Sequence, residues 1–260
     1  VSVKIHPTAV VSERAELGEG VSVGPYSIIE EDVTIGPGTV IDAHVMVKAH
    51  TSIGRDCRLY PYASLGTDPQ DLLYQGEETR LVIGDNNIIR EFATLNRGTP
   101  RGGVVTRLGS HNMLMAYTHV GHDCQLGDHV VMVNLATLAG HCHVEDWAVL
   151  SGLVAVQQFT RIGTHAFIGG MTGVDKDVPP YCVASDYRAR LYGLNTVGLK
   201  RRGFPAETVA QLKEAYRLLF RNKDSVLSVN LDRVEESLGH VPEVKRVVDF
   251  IRASKRGICR

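Results

Sequence analysis

The feature that most constrains this chain is a period of six. From Ile5 to Leu65 an aliphatic residue occupies every sixth position, passing through Val11, Leu17, Val23, Ile29 and Ile35 without a miss. The pattern returns at Ile83, Ile89 and Leu95, then shifts phase and runs unbroken from Leu108 through Leu114, Val120, Leu126, Met132 and Leu138 to Val174. Gly often follows the aliphatic residue, and four positions after it stands a small or β-branched one (Ala9, Ala15, Val21, Ser27, Val33). A helix repeats near 3.6 and a strand at 2, so neither accounts for six. Short strands joined by tight turns do, each strand turning two apolar residues inward.

This pattern resembles the hexapeptide-repeat family. The resemblance implies a mainly β fold: a left-handed parallel β-helix of three hexads per coil, about eight to nine coils, assembled as a homotrimer. Two interruptions, near 66–82 and 96–107, predict loops that leave the coil, and such loops commonly carry function. The first keeps the phase and the second costs one residue. From Pro179 the hexads stop. The stretch 204–222 has Val209, Leu212, Ala215, Tyr216 and Leu219 at helical spacing, and 225–238 and 242–254 read as two more amphipathic helices. The expected division is a β-helix over 1–187 and a helical domain over 188–260.

Composition then narrows the partners. Lys plus Arg total 28 against 29 Asp plus Glu, so no net charge draws the chain to nucleic acid. No stretch approaches the roughly 18 apolar residues of a membrane span, and no leader is evident at the N-terminus. Five cysteines without a C-x-x-C pair indicate neither a disulfide framework nor a zinc knuckle. The expectation is a cytoplasmic protein with no integral membrane segment.

Three hexads per coil stack residues 18 apart at about one strand spacing, roughly 4.8 Å. His122 then lies beneath Gly140 and Gly140 beneath Gln158, while Asp123 lies beneath His141. His119, Gly121 and Gln157 fall near the same edge. A glycine between polar side chains leaves room and a bare N–H, which suits a general base beside an oxyanion donor. Zinc held by His119, His122 and His141 is a rival reading, although offsets of 3 and 19 do not resemble the ligand spacing of the gamma-class carbonic anhydrases. His6, His44, His50, His129 and His165 read as solvated turn histidines. Cys124 and Cys142 also stack, at small inward positions that suit core packing. In the first loop, Gln70, Asp71 and Tyr74 offer polar groups for a sugar.

The strings "NRGT", "GHDC", "LAGH", "VPPY" and "GLKRRGF", with "QDL" and "GE" in the first loop, resemble the UDP-N-acetylglucosamine O-acyltransferase family over essentially the whole chain. The resemblance implies transfer of a 3-hydroxyacyl group from acyl carrier protein to the 3-hydroxyl of the nucleotide sugar, the first step of lipid A synthesis. It makes His122 the general base, Asp123 its orienter and Gly140 the oxyanion donor. Gln70, Asp71, His119, His141, Gln157, Gln158 and Asn195 become sugar and nucleotide contacts, and Arg201 and Arg202 a basic pair for phosphate. No metal or redox cofactor is implied, because the thioester arrives activated.

Three positions depart from the familiar pattern: Leu73 stands for a Lys, Gln157 for a His and Val197 for a Glu. They leave open a preference for the 3-amino analogue of the sugar, acylated to an amide. Gly170 occupies a place where bulk shortens the acyl chain in relatives, so a myristoyl-class donor is expected. A non-catalytic prism serving as a binding scaffold is the reading from a different class.

Overall fold

The computed structural model describes residues 2–222 and 225–260; Val1, Lys223 and Asp224 of the expected domain ranges lie outside the described residues. Strands of mostly two residues run along three faces, each paired in parallel with the strand one coil above and below. The step between partners is 18 residues, as in Lys4↔Ser22 and His119↔Thr137. It widens to 30 at Arg58↔Ile88 and to 25 at Ile88↔Met113. Twelve and seven residues therefore leave the coil at the two interruptions. Twelve is two hexads, which keeps the phase, and seven is one hexad plus the single residue of slip.

The period works because it puts every sixth aliphatic residue inside. Ile29, Ile35, Leu59, Leu65, Leu95, Leu114 and Leu138 are all nearly inaccessible, each contributing about 1.5–3 kcal/mol of burial. The second inward position holds small groups: Val21, Ala63, Cys124, Ala136, Cys142 and Ala148. A larger residue there would overfill a prism only three short strands around. The cysteines are thus core residues, as expected, and Cys124 Sγ also donates to Ala139 O at 3.2 Å.

Between strands the chain turns a corner, and most corners place a residue at positive φ. Corners stack into three edges. One carries Tyr26, His44, Tyr62, Phe92 and Tyr117 with rings 4.8–5.1 Å apart. A second carries His111, His129, Trp147, His165 and Tyr181, and a third carries Asp123, His141 and Phe159. Left-handed corners are strained for side-chain-bearing residues. Here the strain is offset by backbone bonds between coils, such as His141 N to His122 O at 2.8 Å.

Past the last hexads, strands Cys182–Ser185 and Arg190–Leu194 form an antiparallel hairpin that extends one face. Helices α1 (Thr196–Arg201), α2 (Ala206–Tyr216), α3 (Leu227–Leu238) and α4 (Pro242–Arg252) follow, with a π-helical turn at Arg217–Arg221. The hairpin and α1 are absent from the sequence expectation. Six residues are too few for a 3.6-residue period to register, and α1 is started instead by the Asn195 side chain accepting from Gly198 N at 3.0 Å. Leu199, Leu212, Leu219, Val234, Val244 and Val248 form a second core. It is tied to the prism by Arg246 on Glu145 at 3.1 Å and by the buried Asp177, which accepts from Ser254 Oγ at 2.7 Å. No helix among the described residues is long and apolar enough to cross a membrane.

Candidate active site

The third edge is where polar chemistry gathers. His122 precedes the corner residue Asp123, whose positive φ of 59° folds its carboxylate back beside the imidazole. Nδ1 of His122 lies 2.8 Å from Asp123 Oδ2. The carboxylate is fully buried and accepts from Thr99 N at 2.8 Å and Thr99 Oγ1 at 2.7 Å. An ionised carboxylate only accepts, so the Nδ1 position carries the proton and Nε2 is left as the basic atom.

One coil up, Gly140 sits over the ring. A Cβ there would fall 2.5 Å from His122 Cε1 and 2.6 Å from Nε2, so any side chain would displace the imidazole. Among the described residues the Gly140 N–H pairs with no acceptor. The 18-residue stack expected for His122 and Gly140 is therefore observed. His141, the next corner, meets His122 edge to face at 5.0 Å and stacks on Phe159 at 4.4 Å. Burial lowers its pKa, partly offset by Asp123. His119 lies on the neighbouring face, where Nδ1 meets Thr94 Oγ1 at 2.8 Å; burial, and then His122, lower its pKa too.

His119, Gln70 and Gln157 border an open groove of about 690 Å³ with a floor of Thr137, Ala155 and Gly173. Gln158 is exposed at the corner before Phe159. Asp71 reaches this neighbourhood, since its charge acts on His141. Tyr74 is engaged otherwise: its hydroxyl donates to Glu77 O and meets Arg97. Gly170 is exposed, and a Cβ there would touch only Gly152 O at 3.4 Å.

Asn195, Arg201 and Arg202 are not brought to this edge within one chain. Arg202 lies 4.0 Å over the Trp147 ring on the second edge, Asn195 bonds His165 O, and Arg201 is exposed. His129 and His165 stand at corners as expected but are half-buried in that aromatic stack rather than solvated, while His44, stacked on the first edge, is exposed. Rings at 129, 147 and 165 are 18 apart, the same signal that located His122 under Gly140. As for metal, His122, Asp123 and His141 present donor atoms within 4.8 Å of one another. Asp123 is already engaged by His122 and by Thr99 twice, and His119 is held by Thr94, so the set differs from the three-histidine arrangement.

Fold and site together define a class: a left-handed hexapeptide prism with a partly exposed histidine on a buried carboxylate at a glycine-cleared corner. The profile for "Udp N-acetylglucosamine O-acyltransferase; Domain 2" matches residues 177–259. Over 99% of both chains the protein is 49% identical to the acyl-[acyl-carrier-protein]–UDP-N-acetylglucosamine O-acyltransferase of Halorhodospira halophila. The Francisella novicida UDP-N-acetylglucosamine acyltransferase structure superposes with a TM-score of 0.96 at 41% identity, covering 98% of this chain and 94% of that one. The Acinetobacter baumannii structure gives 0.95 at 41%, covering 98% and 99%. The chain belongs to the UDP-N-acetylglucosamine O-acyltransferase family.

Proposed function

We propose that this protein transfers a 3-hydroxyacyl group from acyl carrier protein to the 3-hydroxyl of UDP-N-acetylglucosamine, in the cytoplasm and as a homotrimer. The observation that carries the reading is the His122–Asp123 pair beneath Gly140. His122 Nε2 takes the proton of the sugar hydroxyl as its oxygen attacks the thioester carbon, and Asp123 favours the imidazolium that results. The Gly140 N–H donates to the oxyanion of the tetrahedral intermediate. Collapse expels the carrier's thiolate, which recovers the proton from His122.

Gln70, Asp71, His119, His141, Gln157 and Gln158 hold the sugar and nucleotide along the same edge and its groove. His119 and His141, kept neutral by burial, serve as hydrogen-bonding rather than charged contacts. The small floor of Thr137, Ala155 and Gly173 accepts an alkyl chain, and the open surroundings of Gly170 fit a myristoyl-class donor. Asn195, Arg201 and Arg202 lie on another edge of their own chain, so they complete the site of a neighbouring copy, where the guanidinium forks meet phosphate oxygens. The prism of 1–187 then supplies the chemistry and 188–260 the basic wall. The chemistry needs neither metal nor redox cofactor.

The test is a transfer assay with purified protein, hydroxyacyl carriers of several lengths, and either UDP-N-acetylglucosamine or its 3-amino analogue. The expected result is ester formation on the former with the longer chains preferred. His122→Ala is expected to lower kcat by about two or more orders of magnitude. An unchanged rate in that variant would return the molecule to the scaffold reading.

A further inference from the structure

Asp123 does not hold its position unaided. The second loop leaves the coil after strand Thr94–Asn96 and, before rejoining at Val105, folds its short 3-10 turn Pro100–Gly102 against the buried carboxylate. Thr99 is 2% exposed. Its N–H donates to Asp123 Oδ1 and its hydroxyl to Oδ2, and Gly102 N donates to that hydroxyl oxygen at 3.1 Å. Because Oγ1 already accepts from Gly102, its proton is directed at Asp123. The sequence of donors therefore runs from Gly102 N–H through the Thr99 hydroxyl to Asp123 Oδ2, the same oxygen that meets His122 Nδ1. The backbone closes on the carboxylate only because residue 102 is glycine: a Cβ there would lie 1.9 Å from Asp123 Cγ.

Asn96 and Arg97, just before Thr99, grip the first loop. Asn96 Nδ2 donates to Thr67 Oγ1 at 2.8 Å and to Asp68 O at 3.0 Å. Arg97 reaches Asp68 Oδ1 at 2.5 Å and Tyr74 OH at 2.8 Å, on either side of Gln70 and Asp71. We propose that Asn96–Thr99 is the positioning element of the site, with Thr99 a positioning residue that aims His122 through Asp123 and Arg97 one that aims the sugar-binding loop. The proposal rests on the acyl-transfer reading above.

The two hands of the brace separate kinetically. Thr99→Val, which keeps the N–H bond and deletes the hydroxyl, is expected to lower kcat about tenfold or more with little change in KM for the nucleotide sugar. Thr99→Ser is expected to restore kcat to within about twofold, and Arg97→Met to raise KM with a smaller effect on kcat. Thr99→Val/His122→Ala should be no slower than His122→Ala alone, since groups acting as a unit are not additive. Wild-type kcat in Thr99→Val, failure of Ser to rescue, or multiplying losses in the double variant would each overturn the assignment. If Thr99→Val does not melt like the wild type, Gly102→Ala replaces it, and an unchanged kcat there is equally fatal. The His122 Nδ1–H proton resonance, read without substrate, is expected to move in Thr99→Val and not in Thr99→Ser. That readout decides the positioning role even if the protein transfers no acyl group.

Discussion

All three edges of the prism carry imidazoles at or beside left-handed corners, and the contrast between two of them shows what proton transfer requires. On the edge of His111, His129, Trp147 and His165 the rings lie parallel, with centroids 3.8 Å apart between His129 and Trp147, and Arg202 lies over the Trp147 ring. Burial and the neighbouring Arg202 and Arg246 drive the His165 pKa down to about 4. On the other edge Asp123 interrupts the stack, His122 turns perpendicular to His141, and Gly140 clears the space above Nε2. His129 and His165 occupy their left-handed corners, whereas His122 stands one residue before the corner at Asp123. What separates a packed histidine from a candidate base is a carboxylate at one nitrogen and a void at the other.

That contrast can be broken most sharply at the void. Gly140→Ala is expected to lower kcat/KM by about 100-fold, because the methyl displaces the ring from its reacting geometry, while the melting temperature stays close to wild type. Paired kinetics and thermal melts check it. On the stacked edge the balance reverses. Trp147→Leu removes the ring beneath Arg202 and beside His129, so it should cost about 1 kcal/mol of stability in urea unfolding and leave kcat near wild type.

The last test is a pH dependence. His165 is neutral in the fold until about pH 4, whereas in the unfolded chain it takes a proton near the ordinary 6.5. Between those values the unfolded state binds the extra proton, so stability falls as pH drops from about 6.5 toward 4. His165→Gln should flatten that part of the wild-type curve, measured as urea midpoints at pH 7.5 and 5. An unaltered slope would mean that the imidazole titrates alike in both states.

Much of this was legible in residue order. The hexads predict the short strands, the buried aliphatic column and the 18-residue step, and that step alone stacks His122 under Gly140. The same arithmetic stacks His129, Trp147 and His165, yet an 18-residue interval does not say whether corner rings lie against one another or turn to solvent. Thr99 escaped for a different reason. It lies 24 residues before Asp123 in a segment with no period, so nothing in its spacing points to a carboxylate; "NRGT" is visible as a string without its contacts. The short α1 and the hairpin at Cys182–Ser185 and Arg190–Leu194 depend on capping and on an open sheet edge, which leave no periodic trace.

Sequence by itself determined the repeat, the filling of the prism and the vertical neighbours of the corners between loops, since these follow from side-chain alternation and a coil of 18 residues wherever no loop leaves it. Tertiary structure decided which imidazole faces a carboxylate, which ring lies flat in a stack, and how the second loop folds onto Asp123. Those outcomes depend on the directions of hydrogen bonds between segments whose separation in the chain obeys no period, and direction is a property of three-dimensional packing alone.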